Sequence, residues 1–338
     1  VRPAERRIGY GVKGNPLDAH GLRALENCDP PPDPARVLAE RRAAEPTPLL
    51  AGGGDTSFKV RIWGARGSVP VSGSEFRRYG GNTPCVEMRC GGRTLLFDAG
   101  TGIRPAGVSM LRSGVRDVHL FFSHFHYDHV LGLPFFAPLY DPSIRLEIWS
   151  GHLAGIMSTR EMLRGLMRAP WFPVEISICR AAVVSRDFRS GDVINPWPEV
   201  TVRTGSLNHP GGCIGYRVEY GGRAVAFICD TEHVEGAPDA NVLALIENAD
   251  LVIYDAAYTD EEMKSRRGFG HSSWQEGVRL CRAAGAKKLA LFHHDPFRTD
   301  IELARIEARA KEAFPGAFAA RDGQSLTFQA RQAAKKQV

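Results

Sequence analysis

Three imidazoles and a carboxylate fall within seven residues, Ser123-His124-Phe125-His126-Tyr127-Asp128-His129, directly after the apolar run Val118-His119-Leu120-Phe121-Phe122. This is the signature of a metal site at the end of a strand. His124 and His126 are two apart, a spacing that lets both rings aim at one centre, and Asp128 and His129 follow at once. One ion takes about three or four protein ligands, and these four side chains cannot all reach it comfortably from so short a loop. Two adjacent ions resolve the crowding, with His124 and His126 serving one and Asp128 and His129 the other.

Each ion then needs ligands from elsewhere in the chain. His209, in Asn208-His209-Pro210-Gly211-Gly212, can complete the first; His293, ending Leu289-Ala290-Leu291-Phe292, can complete the second. Asp230 follows the apolar run at 224–228 and Cys229, and its two oxygens suit it to bridge ions about 3.5 to 4 Å apart. His294 competes with His293, which is preferred because it ends the strand. Cys229, at the end of the same apolar run, reads as a buried packing residue. The set is repetitive in position: Asp98, His124, Asp230, Asp255 and His293 each sit at or just beyond the carboxyl end of an apolar strand. In layered α/β folds those ends are where loops gather polar groups around a ligand.

A second group looks catalytic without being a ligand. His271 lies in Gly270-His271-Ser272-Ser273-Trp274, where Ser272 or Ser273 would cap the following helix. Asp255, ending Leu251-Val252-Ile253-Tyr254, can orient an imidazole and favour its protonated form. A charged His271 near the metals would stabilise a developing phosphorane or protonate a departing alkoxide. Asp98 is expected to support the histidine loop by hydrogen bonding, and the loops at 66–70 and 79–83 to be structural.

The rest of the chain sets the frame. It has 338 residues, 43% of them apolar, enough for one large α/β core or two smaller ones. Lys and Arg total 43 against 38 Asp and Glu, a surplus of +5 that does not point to nucleic acid on its own. No apolar stretch reaches the roughly 20 residues of a membrane helix, and the amino terminus lacks a signal-like apolar core. Seven scattered cysteines without a CxxC pair fit reduced thiols. The expectation is a soluble, cytoplasmic protein with no membrane partner.

Residues 1–57 are expected to be a Pro- and Gly-rich extension in which 35–44 can form one short helix, residues 58–330 the main folded domain, and 331–338 a polar tail. Periodicity predicts strands at 58–63, 86–90, 94–97, 118–122, 146–149, 200–204, 215–220, 224–228, 251–254, 288–292 and 325–330. It predicts helices at 158–167, 240–248, 273–284 and 300–313. The apolar, aromatic segment 131–175 is expected to form a substrate wall and a contact between two copies of the chain, with plain core packing as the alternative.

The motif His124-Phe125-His126-Tyr127-Asp128-His129 with His209, Asp230 and His293 resembles the metallo-β-lactamase superfamily. Over residues 58 to about 330 the resemblance implies an α/β fold of the αβ/βα sandwich type with its active site at one edge. It also implies the ligand set already derived. Asp255 with Gly270-His271-Ser272 is similar to the carboxylate–histidine dyad of the phosphodiesterase branch, which includes RNase Z-like transfer RNA 3′-processing endonucleases and cyclic-phosphate phosphodiesterases. Two features depart from the RNA-processing members: Asp255 stands where they usually place a glutamate, and no long glycine- and lysine-rich arm is evident.

The expected activity is therefore hydrolysis of a small cyclic nucleotide or related cyclic phosphodiester by metal-activated hydroxide, with Asp128 also guiding the proton of the water. RNA 3′ processing and lactone or ester hydrolysis are the alternatives, and a nucleic-acid partner stays open. The N/O ligand set accepts two divalent ions, zinc or manganese first and iron also.

Overall fold

A computed structural model describes residues 56–331 apart from 235 and 238. The expected helix at 35–44 and nearly all of both terminal segments lie outside the described residues. The chain runs through β1 (Phe58–Gly64), β2 (Cys85–Cys90), β3 (Arg93–Phe97), β4 (Asp117–Phe121), β5 (Arg145–Ser150) and β6 (Ala182–Asp187). It continues as β7 (Val193–Trp197), β8 (Val200–Leu207), β9 (Cys213–Tyr220), β10 (Arg223–Ile228), β11 (Leu251–Asp255), β12 (Leu289–Phe292), β13 (Ala317–Ala319) and β14 (Ser325–Phe328). The α-helices are α1 (Ile103–Arg112), α2 (Tyr127–Val130), α3 (Thr159–Leu166), α4 (Ala240–Ile246), α5 (Asp260–Arg266), α6 (Trp274–Ala283) and α7 (Asp300–Ala313).

Two seven-stranded sheets result, ordered β14-β1-β2-β3-β4-β5-β6 and β13-β12-β11-β10-β9-β8-β7. Strands β3 to β6 pair in parallel, as do β10 to β13, while the remaining pairings are antiparallel. The sheets face one another across a shared core, and helices cover their outer faces, which is the αβ/βα sandwich.

The alternation of each strand makes this arrangement necessary. In β10, Val225 and Phe227 enter the core between the sheets, whereas Ala226 and Ile228 pack outward with α4 and α6. Ile253 and Val252 of β11 divide in the same way. On the first sheet, Phe97 and Phe121 point inward while Leu96 and Leu120 meet α1. A strand that is apolar on both faces can be stable only with a layer on each side. Serine and threonine caps start several helices: Thr259 and Thr299 form capping boxes with Glu262 and Glu302, and Ser273 accepts from the Glu276 amide.

The segment 131–175 corrects its sequence reading in part. Leu133, Phe136 and Leu139 are fully buried against α1, so these positions are core packing. Phe135 and Trp171 do remain exposed, and the Phe135 ring meets Phe172 edge-on at 6.0 Å. Helix α1 was not expected. Its Pro105 falls in the first turn, where no amide partner is lost, and Gly107 is demanded by packing, since a Cβ there would lie 2.7 Å from Pro138 Cδ.

The sheets are locked together beneath the histidine loop. Phe97 is fully buried, with ring centroids of Phe121, Tyr216 and Phe227 at 5.5, 5.2 and 5.7 Å. The Tyr216 hydroxyl donates to the Phe122 carbonyl, and the Ile214 amide donates to Ser123 O at 3.0 Å. Phe97→Ala is therefore expected to lower the unfolding free energy by about 3–5 kcal/mol. Denaturant titration checks this, and a loss below about 1 kcal/mol would show that the inter-sheet contact does not have this weight.

Candidate metal centre

Each sheet delivers its polar residues to the same edge. Strand β3 ends before Asp98, β4 before Ser123 and His124, β10 before Cys229 and Asp230, and β12 before His293, while β11 terminates on Asp255. His209 comes from the turn joining β8 to β9. The resulting cleft, about 530 Å³, is lined by His126, Asp128, Asp230, His271 and His293, with Ser68, Phe125 and Tyr127 at its walls.

Three imidazoles form one group: the candidate donor atoms of His124, His126 and His209 all lie within 4.8 Å of one another. His209 Nε2 is 3.0 Å from His126 Nδ1, and its own Nδ1 donates to the Gly270 carbonyl at 2.7 Å, which leaves Nε2 with a free lone pair. Burial lowers the pKa of all three rings, most strongly that of His124, where His129 adds to the effect. Neutral imidazole is the form that binds a metal.

The second group is more acidic. His129 Nε2 lies 3.2 Å from Asp128 Oδ2 and 3.4 Å from Asp230 Oδ2; His293 Nε2 lies 3.1 Å from Asp128 Oδ2 and 3.3 Å from Asp230 Oδ1. Asp230 also faces the first group, its Oδ2 being 3.7 Å from both His124 Nε2 and His209 Nε2. Burial alone would raise the pKa of Asp230, but the facing imidazoles of His293 and His129 hold it well below the usual carboxylate range. Burial disfavours charge on His129, yet Asp128, Asp230 and Asp98 together push it well upward. This half of the site calls for positive charge.

The residues fit a pair of divalent ions. His124 Nε2 and His129 Nε2 are both buried without a hydrogen bond, an arrangement that is costly unless another partner takes their lone pairs. The candidate donors fall into the group His124–His126–His209 and two further groups that share Asp230 and His293, one with His129 and Cys229 and one with Asp255 and His271, which is consistent with a dinuclear centre. Asp98, fully buried, accepts from His129 Nδ1 at 2.8 Å and from the Ser123 amide and hydroxyl at 2.7 and 2.8 Å, so it fixes the loop and the ring together.

Close packing and backbone strain accompany this arrangement. Ser68, Asp98, Asp230 and His293 all have positive φ, between 56° and 61°, in the left-handed region that ordinary side chains avoid. A Cβ on Gly67 would lie 2.4 Å from His293 Nδ1, and one on Gly270, at φ 80°, would lie 2.2 Å from His209 Nδ1. Both glycines let backbone approach a donor ring.

His271 stands beside the donors without belonging to the first group. Its Nδ1 is 2.9 Å from Asp255 Oδ2, and its ring stacks on His293 at 4.7 Å. Burial opposes the charged form, but the charge and hydrogen bond of Asp255 outweigh it, and His271 is pushed up to about 9. His294 turns away from the cleft, pairing its Nε2 with Ala320 O at 2.8 Å, and burial lowers it to about 3.

Some contacts had no sequence signal. The Ser68 amide donates to Asp128 Oδ2 at 2.8 Å, a backbone role that residue type does not reveal, so the 66–70 loop touches the site directly. His152 packs edge-on against Phe125 at 4.3 Å and lies 6.4 Å from His124. Cys229 is buried in the core as expected, but its thiol also donates to Asp230 Oδ1 at 2.8 Å.

The family model described as beta-lactamase superfamily domain matches residues 93–294. The chain belongs to that superfamily. It is similar to the ribonuclease Z of Haloarcula marismortui, with 26% identity over 311 residues, 77% of this chain and 93% of the relative. Among solved structures, the metallo-beta-lactamase fold protein YhfI from Bacillus subtilis superposes with a TM-score of 0.59 at 22% identity, covering 81% of this chain and 100% of that one. A diphosphatase from the PhnP family superposes with a TM-score of 0.59 at 19% identity, over 80% and 97% of the two chains. With its candidate dinuclear centre on this scaffold, the protein is a metal-dependent hydrolase. No helix among the described residues is long and apolar enough to cross a membrane.

Asp98→Asn retains the size of the side chain but weakens its hold on His129 Nδ1. Metal affinity should fall by about 10- to 100-fold, measured by competition with a chelator. Unchanged affinity would mean that Asp98 does not orient a ligand.

Proposed function

We propose that the protein hydrolyses phosphodiester bonds in RNA, with His124, His126 and His209 holding one divalent ion and Asp128, His129 and His293 the other. Asp230, whose oxygens face both donor groups, would be shared between them, and zinc or manganese suits the N/O donors. The observation that carries the reaction class is the His271–Asp255 pair, a hydrogen-bonded acid directly beside the donor cluster. An acid in that place serves a poor leaving group such as a ribose alkoxide. The substrate class rests on the relative named ribonuclease Z, which aligns with most of this chain.

Bound divalent ions supply a water of lowered pKa and neutralise phosphate charge. The chain's own residues do the rest. With Nδ1 committed to Asp255, His271 offers the proton on Nε2 to the departing oxygen, and Asp255 stabilises the imidazolium beforehand. Asp255 is itself fixed by the Ala257 and Thr231 amides at 3.2 and 3.3 Å. Ser68 orients Asp128 through its amide, which leaves Asp128 to guide the proton of the attacking water. Tyr127 is 78% exposed at the cleft wall and offers a face on which a base can stack.

A small cyclic phosphodiester is the second reading. The segment 151–181 between β5 and β6 contains no lysine and folds back through α3 and short turns, which favours a compact substrate over a long RNA held by an extended arm. A metal-defined screen separates the two by comparing precursor transfer RNA, 2′,3′-cyclic nucleotides, bis(p-nitrophenyl) phosphate and a lactone. Turnover of RNA and of the chromogenic diester is expected. Turnover of the lactone alone would overturn the phosphodiester reading.

Variants test the assigned roles separately. Asp230→Ala should abolish both paired metal binding and turnover. His271→Ala should retain metal and lose about 10²- to 10⁴-fold in kcat. Full activity in the His271 variant would remove it from the chemistry.

A further inference from the structure

Glu232 follows Asp230 by two residues, yet nothing in the donor set or the acid pair uses it. Its carboxylate accepts the Gly268 amide through both oxygens, at 3.0 and 2.8 Å, and the Gly270 amide at 2.9 Å. Its backbone is tied in the other direction: the Glu232 amide donates to Asn208 O at 2.8 Å, and Asn208 Nδ2 donates to Glu232 O at 2.9 Å. One residue therefore joins the segment carrying Asp230, the turn carrying His209 and the loop carrying His271.

The loop needs such a tie. Gly268 and Gly270 both have positive φ, 86° and 80°. Gly270 cannot be exchanged for a stiffer residue, because a Cβ there would run into the His209 ring and the Pro210 Cδ, 2.2 and 2.4 Å away. Two glycines flanking Phe269 give the loop a large conformational freedom to lose. That freedom matters at two atoms. The Gly270 carbonyl receives the proton of His209 Nδ1, and His271 is the next residue along the chain.

We propose that Glu232 is a positioning residue that sets His209 for metal binding and His271 for proton delivery, by holding the Gly268 and Gly270 amides. The role rests on the proposed donor set and is independent of which phosphodiester is cleaved. Charge-assisted hydrogen bonds from two amides to one carboxylate fix the Gly268–Gly270 segment, and so the position from which Gly270 presents its carbonyl to His209 Nδ1. Released from Glu232, the carbonyl no longer selects the His209 tautomer with a free Nε2.

The test compares Glu232→Ala and Glu232→Gln with the parent protein, using Co²⁺ as the metal. Affinity is measured by chelator competition, coordination by the visible d–d spectrum, and catalysis by kcat and KM on bis(p-nitrophenyl) phosphate. Glu232→Ala should bind one of two Co²⁺ equivalents about 10-fold more weakly, with an altered spectrum and a lowered kcat. Glu232→Gln keeps one amide acceptor and should recover most of that loss, which a merely structural replacement would not do. Parent-like affinity and spectrum in both variants overturns the role, as does a Gln variant no better than Ala. A parent protein that takes up no metal pair overturns the donor set itself and this role with it.

Discussion

A carboxylate buried at a strand tip is tolerated only where positive or hydrogen-bonding groups surround it, and Asp230 occupies such a place. Nitrogen atoms of His124, His129, His209 and His293 lie 3.3 to 3.7 Å from its two oxygens, and they arrive from loops of both sheets. The sandwich makes that convergence possible, because it brings strand ends of both sheets to one edge. The convergence explains why strained backbone collects there, because Asp98, Asp230 and His293 each turn sharply off a strand to face inward. The packing of Phe97, Phe121, Tyr216 and Phe227 underneath keeps the two sheets in register. A close-packed core beneath the donors supplies the fixed placement that a preorganised site requires.

Around this carboxylate the site divides into a neutral half and a charged half. Desolvation lowers the pKa of His124, His126 and His209, most strongly in the buried His124, which favours the neutral form that donates a lone pair. Asp128, His129 and His293 sit among carboxylates that call for cationic charge. His271 is different again, since Asp255 favours its proton in place of a lone pair. Three environments for one side-chain type thus separate the proposed ligands from the proposed acid without any change in residue chemistry.

Much of this was legible because the histidine cluster is local and the other candidates each end an apolar run. Strands such as β10 and β11 read clearly, their apolar residues on both faces matching burial on both sides. What was hidden has specific causes. Helix α1 carries Pro105 and Gly107, which break the periodic signal even though packing against Phe136 and Pro138 makes that glycine necessary. Strand β6 is only partly buried, β7 contains Pro196 and β13 spans three residues, so none shows a clean alternation. The apolar segment after the histidines looked like a wall because its sequence does not tell which face α1 would cover. Ser68 and Glu232 act through backbone amides and distant loops, and no spacing in the chain announces such contacts.

The central claim is that two ions sit on either side of Asp230. Anomalous diffraction from crystals grown with excess Zn²⁺ or Mn²⁺ tests it most directly. The account predicts two peaks about 3.5 to 4 Å apart, one against His124, His126 and His209 and one against Asp128, His129 and His293. A single peak, or a pair that does not share Asp230, would contradict it.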